Sequence, residues 1–101
     1  MIKLLRILAS SLLIISSLAW ASDDIDQDEA QNLRKQGTIL PLDKIIDAAQ
    51  RLHPGRIAEV ELKQKRNRYI YEIEIVDRNG RVWEMKFDAS NATLISQEQD
   101  D

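Results

Sequence analysis

Three stretches of alternation decide what this chain can fold into: Ile57-Ala58-Glu59-Val60-Glu61-Leu62, Tyr69-Ile70-Tyr71-Glu72-Ile73-Glu74-Ile75 and Val82-Trp83-Glu84-Met85-Lys86-Phe87. In each, apolar and charged side chains trade places with a period of two. That spacing puts them on opposite sides of a pleated strand and predicts an antiparallel sheet with one greasy and one wet face. Ala58, Val60, Leu62, Tyr69, Tyr71, Ile73, Ile75, Trp83, Met85 and Phe87 are expected on the greasy face. Gln64-Lys65-Arg66-Asn67 and Asp77-Arg78-Asn79-Gly80 are the expected connections; Asn and Gly tolerate the left-handed backbone that tight hairpins use. Thr93-Leu94-Ile95-Ser96 adds a possible fourth strand after a turn at Asp88 to Ala92.

A one-sided sheet needs a cover. Upstream, Leu42, Ile45, Ile46, Ala49 and Leu52 follow helical spacing, and Asp43, Lys44, Asp47, Gln50 and Arg51 take the other side. Pro41 suits the first helical turn, Pro54 disfavours helical dihedrals at His53, and Gly55 offers a positive φ to the departing chain. The expected fold class is α+β: one main helix on a three- to four-stranded antiparallel sheet. A short peripheral helix over Asp28 to Gln36, ended by Gly37, precedes it. Its apolar content is thin, limited to Ile25, Ala30 and Leu33. The acidic residues ahead of it, Ser22 to Glu29, are expected to fray.

The first residues read as a leader. Lys3 and Arg6 precede an apolar run from Ile7 to Leu18, and Ala19-Trp20-Ala21 is a small-x-small site, the order of a secretory signal peptide cut after Ala21. The alternative, an uncleaved anchor, meets the objection that the run is shorter than the about 20 residues a membrane-crossing helix needs. The division is then residues 1–21 signal peptide, 22–38 acidic segment with the short helix, 39–96 the domain, and 97–101 a polar tail. Loss of Lys3 and Arg6 leaves 12 Lys and Arg against 17 Asp and Glu, a net charge of −5. Such a product is expected in the periplasm, with no stable membrane span and poorly suited to nucleic acid. With no cysteine in the chain, stability has to come from the core or from self-association, so a homodimer is one expected state.

The order helix, His53-Pro54-Gly55-Arg56-Ile57, Val60-Glu61-Leu62, Tyr71-Glu72-Ile73-Glu74-Ile75, Asp77-Arg78-Asn79-Gly80-Arg81-Val82-Trp83-Glu84 and Phe87-Asp88-Ala89 resembles the PepSY domain. That module occurs in propeptides of thermolysin-type metallopeptidases and in bacterial envelope proteins. The resemblance covers Ile39 to Ser96 and implies a regulatory or inhibitory role. One departure is local: the family's Asp-Ala-x-Thr-Gly stands here as Asp88-Ala89-Ser90-Asn91-Ala92, and Asn91 is expected to supply the left-handed residue. With no peptidase on the same chain, the resemblance implies action on a partner in trans.

No catalytic, cofactor-binding or metal-binding set is expected. The single histidine, His53, sits at a helix end where capping or packing is its expected role, and the acidic N-terminus lacks the glycine and closing glutamate of a calcium loop. The candidate partner surface is the wet face of the sheet, Glu59, Glu61, Ile70, Glu72, Glu74, Glu84 and Lys86, with Ile57 and Val82 beside them. A second candidate is the basic hairpin tip, Lys65, Arg66 and Arg68, with Lys63. The function expected is an exported, non-catalytic binding or regulatory module acting on another envelope protein, a protease or a sensor kinase. The alternative is a periplasmic small-ligand or cation sensor using the acidic face.

Overall fold

The computed structural model describes residues 23–100; the expected signal peptide and cleavage site lie outside the described residues. The chain runs β1 (Asp23–Asp24), α1 (Gln27–Lys35), α2 (Leu42–Leu52), β2 (Gly55–Lys65), β3 (Arg68–Asp77), β4 (Val82–Asp88) and β5 (Leu94–Asp100). The five strands form one antiparallel sheet in the order β1-β2-β3-β4-β5. The fold class is therefore the α+β arrangement read from the sequence, with two corrections at its margins. The acidic segment expected to fray contributes β1, pairing Asp23 with Gln64 and Asp24 with Lys63. The expected polar tail continues β5, since Gln97, Glu98, Gln99 and Asp100 pair with Met85, Glu84, Trp83 and Val82. Neither segment shows alternation of apolar and polar residues, because an edge strand is held by main-chain bonds and has little to bury.

Both helices lie against the greasy face. Ile45 and Ala49 of α2 are fully buried with Tyr71, Ile73, Ile75, Met85 and Phe87, and Ala30 and Leu33 of α1 join the same cluster. α1 is thus part of the roof rather than peripheral. Its termini explain why so thin an apolar stripe suffices. Asp26 Oδ1 caps the start by accepting from the Glu29 N–H at 2.9 Å. At the other end Gly37 takes φ 75°, Thr38 N–H reaches Leu33 O at 2.9 Å and Gly37 N–H reaches Arg34 O at 3.1 Å, the paired bonds of a Schellman close. The Arg34 guanidinium then donates from Nε (3.1 Å) and Nη2 (2.9 Å) to the hydroxyl of buried Tyr71, which satisfies the one polar group that Tyr71 carries into the core.

The chain between the helices is not a passive connector. Ile39 is buried, and the Leu40 N–H donates to Ala89 O at 2.8 Å, which ties the α1–α2 link to the turn after β4. Pro41 is the residue just before α2, with its carbonyl accepting from Lys44 N–H at 3.1 Å. At the far end Gln50, expected on the wet side, clamps the start of β2: its Nε2 donates to Gly55 O at 2.9 Å and its Oε1 accepts from Gly55 N–H at 3.0 Å. Gly55 does not have the positive φ expected of it. It is required for space, because a Cβ there would run into the Val76 carbonyl oxygen and come within 2.9 Å of Ile75 Cγ2.

Ile57, Ala58 and Leu52 depart from the sequence reading, and Trp83 keeps its expected side. A register shift in β2 between Ile57 and Glu59 leaves Ala58 as the extra residue of a bulge, exposes it, and turns Ile57 inward against the core. Leu52 ends the apolar stripe of α2 but, at the last residue of the helix, stands 45% exposed. Trp83 shares the inner side with Met85 yet lies at the rim, half-buried, its ring stacked on His53 at a centroid distance of 3.8 Å. His53 therefore has the packing role expected of it.

Truncating the core should show this division in urea titrations: Ile73→Ala or Ile45→Ala is expected to lower stability by about 2–5 kcal/mol, while Leu52→Ala leaves the midpoint nearly unchanged. Gly55→Ala should destabilise although the φ there suits alanine, and a neutral outcome would refute the close approach of β2 to β3.

Candidate functional site

Among the described residues, the wet side of the sheet is the surface left without a cover. Because the strands are in register, its side chains form rows across the sheet. Glu59 pairs with Glu74, Glu74 with Glu84, and Glu84 with Glu98, so one row carries four glutamates on four successive strands, each about 4.5–5.5 Å from the next. The adjacent row is mixed, Glu61 with Glu72, Glu72 with Lys86, and Lys86 with Ser96. Beyond it Lys63 faces Ile70, and at the hairpin tip Lys65 pairs with Arg68. Charge thus changes sign along the strand direction, from a carboxylate row to a cationic tip.

Lys63 is the counter-charge between the two halves. Its Nζ lies 3.4 Å from Glu61, 3.6 Å from Glu72 and 3.9 Å from Asp24. Although burial opposes its charge, Glu72 and Glu61, with a smaller part from Asp24, raise its pKa above the ordinary lysine value. The glutamate row has no such partner within it. A hydrogen bond with the Glu61 carboxyl and repulsion from the same group, with smaller parts from burial, Glu74 and Glu72, raise the Glu59 pKa from its ordinary value; the bond to Glu59, then Lys63, lowers that of Glu61 against burial.

The structure brings Glu59, Glu61, Glu72, Glu74, Glu84 and Lys86 onto one face, as the alternation required, and adds Glu98 from the strand not expected to extend so far. Ile70 shares that side but is only 8% exposed and stands apart from the core. It is the floor of a shallow depression of about 550 Å³ rimmed by Lys63, Lys65, Arg66, Arg68 and Lys86, with Ile95 at its far wall. Ile57, expected outside, belongs to the inner side through the bulge. Arg66 has φ 59°, the left-handed backbone at the first loop position of a two-residue hairpin, where glycine is the usual occupant. The register of β5 could not be read from LISQEQD alone, because only a paired β4 tells which side Glu98 takes.

The residues that most resemble a family signature turn out to organise turns. Asp77 Oδ1 accepts from the Asn79 and Arg81 N–H groups, both at 2.9 Å, while Oδ2 accepts from Arg81 Nε (3.2 Å) and Trp83 Nε1 (3.1 Å). Asp88 does the same at the next turn, with Ser90 N–H at 2.9 Å, Ser90 Oγ at 2.6 Å and Arg68 Nε at 3.3 Å. Buried Ala89 follows it, beneath the α1–α2 link. The left-handed residue of this turn is Ala92, φ 63°, rather than Asn91; Asn91 instead offers its Oδ1 to the Thr93 N–H at 2.9 Å. Burial opposes the charge on Asp77, but bonds from Trp83 and from the Arg81 and Asn79 backbone outweigh it and lower its pKa; Ser90, then Arg68, lower that of Asp88.

Among the described residues no three His, Cys, Asp or Glu side chains are placed to hold a metal ion, and no helix is long and apolar enough to cross a membrane. Fold and surface together define a small α+β module whose ordered aspartates serve turns and whose charged sheet face is open. The family model described as "Peptidase propeptide and YPEB domain", PepSY, matches residues 39–98, and the chain belongs to that family. No curated protein and no solved structure shows a significant match. PepSY domains are generally non-catalytic modules of the propeptide type.

Two stability measurements test these assignments. Lowered carboxylate pKa values in the native state mean stability that is present above the unfolded value of about 4 and lost as pH falls through the lower folded values. The urea midpoint should therefore drop between pH 5 and pH 2.5, and the drop should be smaller in Asp77→Asn. Conversely Glu74→Gln is expected to stabilise the protein at pH 7 by about 0.2–1 kcal/mol, the gain shrinking in acid as the neighbouring glutamates protonate.

Proposed function

We propose that the chain is an exported, non-catalytic module that docks on another envelope protein, a protease or a sensor kinase, and restrains or tunes it. The observation that carries this reading is the row Glu59, Glu74, Glu84, Glu98 on an uncovered sheet face. Like charges directly opposite one another weaken a sheet, and nothing in the core requires them, so their use lies outside the fold. Membership of a family of propeptide-type modules supports the same reading. Export rests on the leader read from residues 1–21 and accords with a family found mainly outside the cytoplasm. A cation or small-ligand sensor, the second reading, is less well supported: the depression over the glutamate row is only about 150 Å³, and the carboxylates spread along a line instead of converging on a point.

Capture from envelope extracts provides the test. The native chain is expected to retain a specific protein that Glu74→Lys/Glu84→Lys releases, both chains showing the same circular dichroism. Retention of nothing would overturn the docking role, and equal retention by both chains would move the docking surface off this face.

A further inference from the structure

Among the described residues the glutamate row has an open end. Glu98 lies on β5, the last strand of the sheet, and Ile95 through Asp100 are all exposed. The two edges of the sheet are not alike. β2 is partly covered by β1 and bent by the bulge at Ala58. β5 has its register shift at the Leu94 end, and from Ser96 to Asp100 it pairs with β4 without interruption. It has neither lysine nor proline in Leu94–Asp100, so the charges it carries are all acidic. What it presents on the wet side are two acids, Glu98 and Asp100, two residues apart.

We infer that β5 is a strand-addition site for an extended segment of a partner protein carrying lysine or arginine at alternate positions, the two cations facing Glu98 and Asp100. This deepens the docking role proposed above and rests on it. Main-chain bonds to the open edge supply the affinity of such an addition, and the alternating side chains supply selectivity. On the wet side the added strand continues the row Glu59, Glu74, Glu84, Glu98, and a cation at its fifth place gives that row the opposite charge it lacks. The other side chains of the segment fall beside Gln97 and Gln99. Gln97 is fixed there by His53, whose Nε2 lies 2.7 Å from Gln97 Oε1, and His53 in turn stacks on Trp83. A second copy of the chain is a poor occupant, because its own β5 brings Glu98 and Asp100 and no cation.

The test uses labelled peptides about seven residues long, one alternating lysine with valine and one alternating glutamate with valine, titrated with the protein at low salt and read by fluorescence anisotropy. The lysine peptide is expected to bind about ten-fold more tightly or better, and Glu98→Lys/Asp100→Lys should invert the preference. N-methylation of one alternate set of peptide amides should abolish binding while methylation of the other set is tolerated. Failure of the lysine peptide to bind, an unchanged preference in the variant, or tolerance of both methylated sets would overturn the inference. In the extract capture, loss with Glu74→Lys/Glu84→Lys but full retention with Glu98→Lys/Asp100→Lys would refute addition at β5 and leave docking on the face standing.

Discussion

Everything in this molecule leans on the inner side of β3. Tyr71, Ile73 and Ile75 are each no more than 1% exposed, and they sit between Leu62, Val60 and Ile57 on one neighbour and Phe87, Met85 and Trp83 on the other. A strand in the middle of a sheet with one apolar side has nowhere to hide that side except under helices. Ile45 and Ala49 supply one half of the roof, Ala30 and Leu33 the other. The Arg34 bond to the Tyr71 hydroxyl matters here because it lets a tyrosine occupy the most buried layer without stranding its oxygen.

The same strict alternation that builds the core forces the opposite side to be read as a surface in its own right. The inward side chains of β3, Tyr71, Ile73 and Ile75, alternate with outward ones, and those are Ile70, Glu72, Glu74 and Val76. The register set by the three antiparallel pairings then aligns glutamates from four strands. A face intended only for solubility is better served by mixed signs, as in the neighbouring row where Glu72 meets Lys86. The unmixed row, running to the acidic edge at β5, sets the candidate docking surface apart from the ordered aspartates. Asp77 and Asp88 are depressed carboxylates, the usual mark of a working site, yet their partners are turn amides, Trp83, Ser90, Arg81 of the same turn as Asp77, and Arg68 from the start of β3. They close loops.

The family match points to an inhibitory or binding module of the propeptide type. What the fold contributes is a geometric restriction on any target. Among the described residues, approach is open on the wet face and along β5, and closed on the greasy face by α1 and α2.

Period-two alternation from Ile57 to Phe87 and helical spacing from Leu42 to Leu52 by themselves determined the α+β class, the inner and outer sides of β3 and β4, and the position of both long hairpins, because these depend on local periodicity alone. Tertiary structure decided the rest. It drew the acidic N-terminus and the polar C-terminal run into the sheet as β1 and β5, since main-chain pairing has no signature in side-chain pattern. It placed the bulge at Ala58 that carries Ile57 inward, and it made Gly55 a matter of clearance rather than of φ. It also set Glu98 beside Glu84, because which residues stand opposite one another is a property of two strands in register and belongs to neither one alone.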